Sequence, residues 1–183
     1  MIASQGYLPN AKVYLAAVRI FPQVNLMPVE PDSPITVPIF IVASGTVQDL
    51  PPVILSDEEW KQRLTPFQFE VTRKKATEYA FTGRYHATKE PGIYRCVCCG
   101  TDLFDATAKF DSRTGWPSFF APVSPLNIRL REDTAGRMVR TEVLCARCGA
   151  HLGHVFDDGP APTGKRYCMN SAALHLDRPR KPQ

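Results

Sequence analysis

The residues able to do chemistry in this 183-residue chain are six cysteines and four histidines. Four of the cysteines form two Cys-x-x-Cys pairs, Cys96/Cys99 and Cys145/Cys148, each followed directly by a glycine, Gly100 or Gly149. Glycine permits the tight turn that lets backbone amides face the thiolates. Two such knuckles supply four thiolates, which close a tetrahedral shell and leave no open position for substrate. One structural zinc ion (Zn2+) per chain is the expected occupant. An iron–sulfur cluster, a redox dithiol and unligated core cysteines are the alternatives. Cys98 sits inside the first pair, next to Cys99, a spacing that no knuckle uses.

Cys168 stands apart, in Arg166-Tyr167-Cys168-Met169-Asn170-Ser171. If this stretch is extended, side chains alternate and Arg166, Cys168 and Asn170 project from one face. A guanidinium favours thiolate over thiol, so Cys168 is a candidate nucleophile and Arg166 its activator. Taken alone, a cysteine in an apolar strand is more often a core residue. His151 and His154, in His151-Leu152-Gly153-His154-Val155-Phe156, titrate near neutrality and are candidates to hold or donate a proton. Two histidines at this spacing also suit a surface or supporting position. Asn170 could orient a water or a histidine through its amide.

Gly115-Trp116-Pro117-Ser118-Phe119, Arg140-Thr141-Glu142-Val143, the two-histidine segment and the Cys168 segment follow in that order, with the Cys-x-x-Cys pairs among them. Together these words resemble the methionine-R-sulfoxide reductase B family over residues 55–176. The resemblance implies reduction of L-methionine-R-sulfoxide in peptides and proteins. The implied intermediate is a sulfenic acid on Cys168, regenerated by thioredoxin or another thiol donor. It carries Cys168, His151, His154, Asn170 and Arg166 to the active site. It also makes Trp116, which alone reads as a core residue, an aromatic wall for the sulfoxide's methyl group, with Phe156 a second candidate for that role. The implied zinc is structural and remote from the reactive thiol. Many members of the family place a second, resolving cysteine just before Gly-Trp-Pro-Ser-Phe, whereas here Thr114 holds that position. The rival reading is a non-enzymatic zinc-knuckle module that binds protein or nucleic acid. Cys168 with its Arg, Asn and His neighbours argues against it, because a binding module has no use for an activated thiol.

The elements that must position these groups read as mainly β. Ile93-Tyr94-Arg95 leads as a strand into the first knuckle, 128–132 and 137–144 alternate around a hairpin turn at 133–136, and the Cys168 segment through Leu176 reads as one buried strand. Ser56-Asp57-Glu58-Glu59 is a capping box, and Thr65-Pro66-Phe67-Gln68 repeats the start signal, so two short helices precede the strands. The family resemblance implies two antiparallel sheets around one core, with these helices at the N-terminal end. Residues 55–177 make the expected reductase domain, residues 1–54 a Pro-rich extension of unknown role, and residues 178–183 a frayed basic tail. Within the extension Ile39-Phe40-Ile41-Val42 is strand-like, which leaves a folded accessory piece as the alternative.

The whole chain has 44% hydrophobic residues, as a globular protein does, and its 17 prolines favour loops and strands over long helices. A net charge of +4 without a basic stripe does not call for nucleic acid. The apolar run at 13–21 is broken by Arg19 and far too short to span a bilayer, so no membrane partner is expected. Cysteines that read as ligands plus one reactive thiol suit a reducing compartment, and a soluble cytoplasmic protein is the expectation.

Overall fold

Residues 35–135 and 138–179 are described in a computed structural model of the chain. The expectations for 1–34, for the turn residues Gly136 and Arg137 and for the tail 180–183 lie outside the described residues.

The chain enters through an antiparallel hairpin, β1 (Val37–Ile41) and β2 (Thr46–Leu50), turned at Gly45. The strand-like reading of Ile39–Val42 holds, but residues 35–54 are not a loose extension. Asn127 accepts the Phe40 N–H at 2.8 Å and donates to the Phe40 carbonyl at 2.8 Å, while the Asp102 carboxylate takes the Val42 N–H at 2.9 Å. Further on, Val53 donates to the Arg147 carbonyl at 2.9 Å. The prolines that forbid a helix here are tolerated because β1 has a single paired neighbour.

Helices α1 (Asp57–Arg63) and α2 (Pro66–Lys74) begin where the capping signals place them. The Ser56 hydroxyl accepts from the Glu59 amide and the Thr65 hydroxyl from the Gln68 amide, and both acceptor side chains reach back to the cap N–H. Lys75, at φ 61, ends α2 in the left-handed region. Trp60, Phe69 and Val71 turn inward and join the core.

Two antiparallel sheets follow, as expected. β3 (Ile93–Cys96), β4 (Asp102–Asp105) and β11 (Leu174–Asp177) form a three-stranded sheet in the order β11-β3-β4. β5 (Lys109–Phe110), β6 (Ser118–Phe119), β7 (Ile128–Asp133), β8 (Arg140–Cys145), β9 (His151–Phe156) and β10 (Arg166–Met169) form a six-stranded one, ordered β5-β6-β10-β9-β8-β7. Phe104 of β4 stacks on Phe119 of β6 at 4.5 Å, and Tyr94 of β3 meets Phe119 edge-on at 5.0 Å, so aromatic packing joins the sheets.

Two expectations need correction. The Cys168 segment is not one strand through Leu176: a 3-10 turn at Ser171–Ala173 divides it into β10 and β11, which lie in different sheets. The cause is Glu78, whose buried carboxylate accepts the Ser171 N–H at 2.7 Å and the Ala172 N–H at 3.0 Å and so draws the chain out of the ladder. The second strand of the 128–144 hairpin is paired from Arg140, opposite Asp133, and the described residues 138 and 139 are not part of it. No helix among the described residues is long and apolar enough to cross a membrane.

Candidate active site

Register builds the site. In the six-stranded sheet Ser118 (β6) lies opposite Cys168 (β10), Cys168 opposite His154 (β9), His154 opposite Glu142 (β8), and Glu142 opposite Arg131 (β7). Directly opposed residues share a face with Cβ atoms about 4.5–5.5 Å apart, so these five side chains form a row across the sheet. His151 joins them through a bulge. Val143 pairs with Gly153 and Leu144 with His151, which leaves Leu152 as an extra residue. On a regular strand, residues three apart face opposite sides; the added residue puts both histidines on one face. Their rings meet edge-on at 5.4 Å.

Each histidine has its own carboxylate. His151 Nδ1 lies 2.7 Å from Glu142 Oε1, and His154 Nε2 lies 2.7 Å from Asp133 Oδ2. Glu142 is buried yet ionised: burial pushes its pKa up, but hydrogen bonds from Arg131, His151 and Lys75 outweigh that and hold it down. Asp133 is held down to about 2, first by His154, then by the Ala135 amide and the Arg140 guanidinium. Burial lowers the His151 pKa against the pull of Glu142, so this ring favours the neutral form, and its buried Nε2 has no hydrogen-bond partner. Neither acid was singled out in the sequence. Glu142 could have been suspected as a carboxylate directly before the apolar Val143-Leu144-Cys145 of a buried strand.

A cavity of about 120 Å³ opens over this row, lined by Trp116, His154, Phe156, Cys168 and Asn170 together with Thr77 and Arg140. Of the expected residues, His151 and Arg166 stand behind this lining. Arg166 grips Asp158 through two bonds of 2.8 and 2.9 Å and lies 4.4 Å over the Phe156 ring. Trp116 is fixed by its indole N–H, which donates to the Glu78 carbonyl at 3.0 Å. Asn170 lies past the end of β10, and its amide is largely occupied: Oδ1 accepts the Glu78 N–H at 3.1 Å and Nδ2 donates to the Leu152 carbonyl at 3.2 Å. Glu78 therefore ties Trp116, Asn170 and the end of β10 together, another role not legible beforehand.

The expected bias of Cys168 toward thiolate is outweighed. Burial raises its pKa, and the Arg166 guanidinium with the Thr114 and Ser118 hydroxyls only partly offsets that, so the resting group is a thiol. Thr114, in the position of the missing second cysteine, is one of the groups against Cys168. Its hydroxyl belongs to a chain with Ser112 (2.8 Å) that continues to Ser118 (2.7 Å).

The four expected ligands converge. The Cys96, Cys99, Cys145 and Cys148 sulfurs all lie within 4.8 Å of one another, the nearest pairs at 3.6 and 3.5 Å, and none is in a disulfide. Four thiolates around a metal at bond lengths of about 2.3 Å stand about 3.8 Å apart, so the cluster fits a tetrahedral ion. Cys98 lies beside the Cys96 and Cys148 sulfurs without being one of the four converging ligands, and it does not line the cavity.

A single thiol in a polar row of a mainly β fold, with a separate cluster of four cysteines that could hold a metal ion, is an arrangement suited to thiol chemistry. Residues 64–178 match the family model of the SelR domain. The chain is 61% identical over 125 residues to "Peptide methionine sulfoxide reductase B1, chloroplastic" of Oryza sativa subsp. japonica, covering 68% of this chain and 58% of that protein. It is 60% identical over 124 residues to the protein of the same name in Arabidopsis thaliana, covering 67% of this chain and 61% of the relative. Against "Peptide methionine sulfoxide reductase MsrB" of Hahella chejuensis it is 60% identical over 121 residues, which is 66% of this chain and 87% of that protein. The match thus spans about three fifths of the two plant relatives. The chain belongs to the SelR-domain family, that of the methionine-R-sulfoxide reductases B.

Proposed function

We propose that this chain reduces the R epimer of methionine sulfoxide in peptides and proteins, with Cys168 as nucleophile. The observation that carries this reading is Cys168 opposite His154 in the ladder, beneath a cavity walled by Trp116 and Phe156. An apolar wall for the methyl group and a polar row for the oxygen distinguish the two epimers, because exchanging methyl and oxygen puts each against the wrong surface.

In the reaction the Cys168 sulfur attacks the sulfoxide sulfur and gives up its proton. The attack makes an S–S bond and the sulfoxide oxygen takes a proton; the S–S bond and the substrate S–O bond then break as an S–O bond forms on Cys168. Methionine and a Cys168 sulfenic acid result, a two-electron exchange. Arg166 stabilises the developing thiolate. His154, fixed by Asp133, and His151, fixed by Glu142, hold and pass the proton, and Asn170 holds the pocket's shape through Glu78 and Leu152. Thr114 cannot form a disulfide, so the sulfenic acid meets an external thiol directly. The first donor thiol displaces water and forms a mixed disulfide; a second releases Cys168 and leaves the donor oxidised. Thioredoxin or another thiol donor fills that role, in a reducing compartment such as the cytoplasm.

Cys96, Cys99, Cys145 and Cys148 hold one zinc ion per chain. With its shell closed by four thiolates, the ion supplies folding stability and no open site. Residues 55–177 are the reductase unit, and the zinc ties its three-stranded sheet to β8. The deciding experiment is an epimer-resolved assay on a peptide methionine sulfoxide with wild type and Cys168→Ser. Reduction of the R epimer alone, abolished in the variant, is expected. Equal use of both epimers, or activity that survives the substitution, contradicts the reading.

A further inference from the structure

Trp116 lines two spaces. Besides the cavity over Cys168 it borders a groove of about 510 Å³, whose other walls include Phe81, Lys89, Lys109, Phe110 and Arg113. The charge in this groove is not balanced. Lys89, Lys109 and Arg113 have no carboxylate within ion-pair distance among the described residues. Of the two acids that line it, Glu90 pairs with Arg178, whereas Asp111 accepts the Arg113 backbone N–H at 2.9 Å and keeps its charge, so three cations face a single unpaired carboxylate. Lys109 is half-buried, and its ammonium donates to a neutral partner, the His86 carbonyl at 3.1 Å. A partly desolvated cation without a counter-ion is stabilised by any anion that arrives.

We propose that this groove receives acidic side chains that flank the oxidised methionine in a polypeptide, so that sulfoxides next to Asp or Glu are preferred substrates. The proposal rests on the reading of the Cys168 cavity given above. The common wall carries the inference. With the sulfoxide's methyl group against one part of Trp116, the chain on one side of that residue passes over the groove. An extended peptide rises about 3.3 Å per residue, which brings positions one to three residues away into it. The exposed Phe81 ring and Phe110 cover the aliphatic part of such a segment, and the three cations meet its carboxylates. An acidic face of the thiol donor is the competing occupant, but the donor needs access to Cys168 only after methionine has left.

The test compares three peptides carrying R-methionine sulfoxide between Asp, Ser or Lys residues, with a small dithiol as reductant. Wild type is expected to favour the Asp peptide over the Lys peptide by about threefold to tenfold in kcat/KM, mostly through KM, and to lose the preference as salt is raised. Lys89→Glu/Lys109→Glu is expected to invert the order and to use the Lys peptide better than wild type does, a gain that misfolding cannot produce. Equal use of the three peptides, or a variant that changes only KM for a thioredoxin-type donor, overturns the proposal. Failure to reduce any of them would overturn the reading of the Cys168 cavity instead.

Discussion

At the scale of the residue, Cys168 is a half-buried thiol whose guanidinium neighbour eases ionisation without completing it. Its alkylation by iodoacetamide, followed by peptide mass spectrometry, should rise with pH through 9.0 without levelling off near neutrality, since burial holds the pKa above the ordinary value. Arg166→Ala removes a lowering influence, so the curve should move to still higher pH while turnover falls by about a hundredfold. A plateau at pH 7 would mean that Arg166 outweighs burial. Glu142 is the second residue on which the chemistry depends. Glu142→Gln should cost about 1–3 kcal/mol of stability, measured by urea unfolding, because it weakens the bonds of a fully buried carboxylate to His151, Arg131 and Lys75. It should also lower the His151 pKa further, read by NMR titration of the ring, because the carboxylate is what raises it. An unmoved His151 titration would remove Glu142 from the proton path. The residue types of the site were legible in sequence because the words that carry them are local. Glu142 and Asp133 were not, because a carboxylate's partner across a sheet is set by register, and here by one extra residue, Leu152.

At the scale of the element, the site depends on how closely β9 approaches β10. A Cβ placed on Gly153 would lie 2.1 Å from the Cys168 carbonyl oxygen and 2.9 Å from the Met169 Cα, and both contacts are backbone. Gly153→Ala must therefore push the strands apart or shift the register. We expect it to destabilise the fold by about 1–3 kcal/mol and to depress kcat more than that loss of folded protein explains, as judged by activity of the protein that remains folded. Full activity with an intact fold would show that the strand can give at no cost to Cys168. The helices were predictable to within a residue because capping boxes are read along the chain. The break between β10 and β11 was not, since it follows from Glu78, which is far upstream in sequence. Of the β1–β2 hairpin only the first strand was legible, because prolines exclude helices but not an edge strand, and β2 has no buried face to mark it.

At the scale of the whole molecule, the six thiols divide into four clustered ligands, Cys98 beside them, and one reactive cysteine, Cys168. Cys96→Ser should lose the metal, measured by elemental analysis, and unfold cooperatively, because the cluster ties the end of β3 to β8 and its following turn. Cys168→Ser should keep both metal and fold; a loss of metal there would break the division. The duplicated Cys-x-x-Cys-Gly made the cluster legible from sequence, whereas its position relative to Cys168 required the two sheets. In the proposed cycle Cys168 is the single redox thiol of the molecule. The most direct measurement adds one equivalent of R-methionine sulfoxide peptide to the full chain without reductant, traps with a sulfenate reagent and maps the adducts by mass spectrometry. One methionine formed per chain and an adduct on Cys168 alone are expected. A disulfide joining Cys168 to Cys98, in place of that adduct, would contradict the cycle.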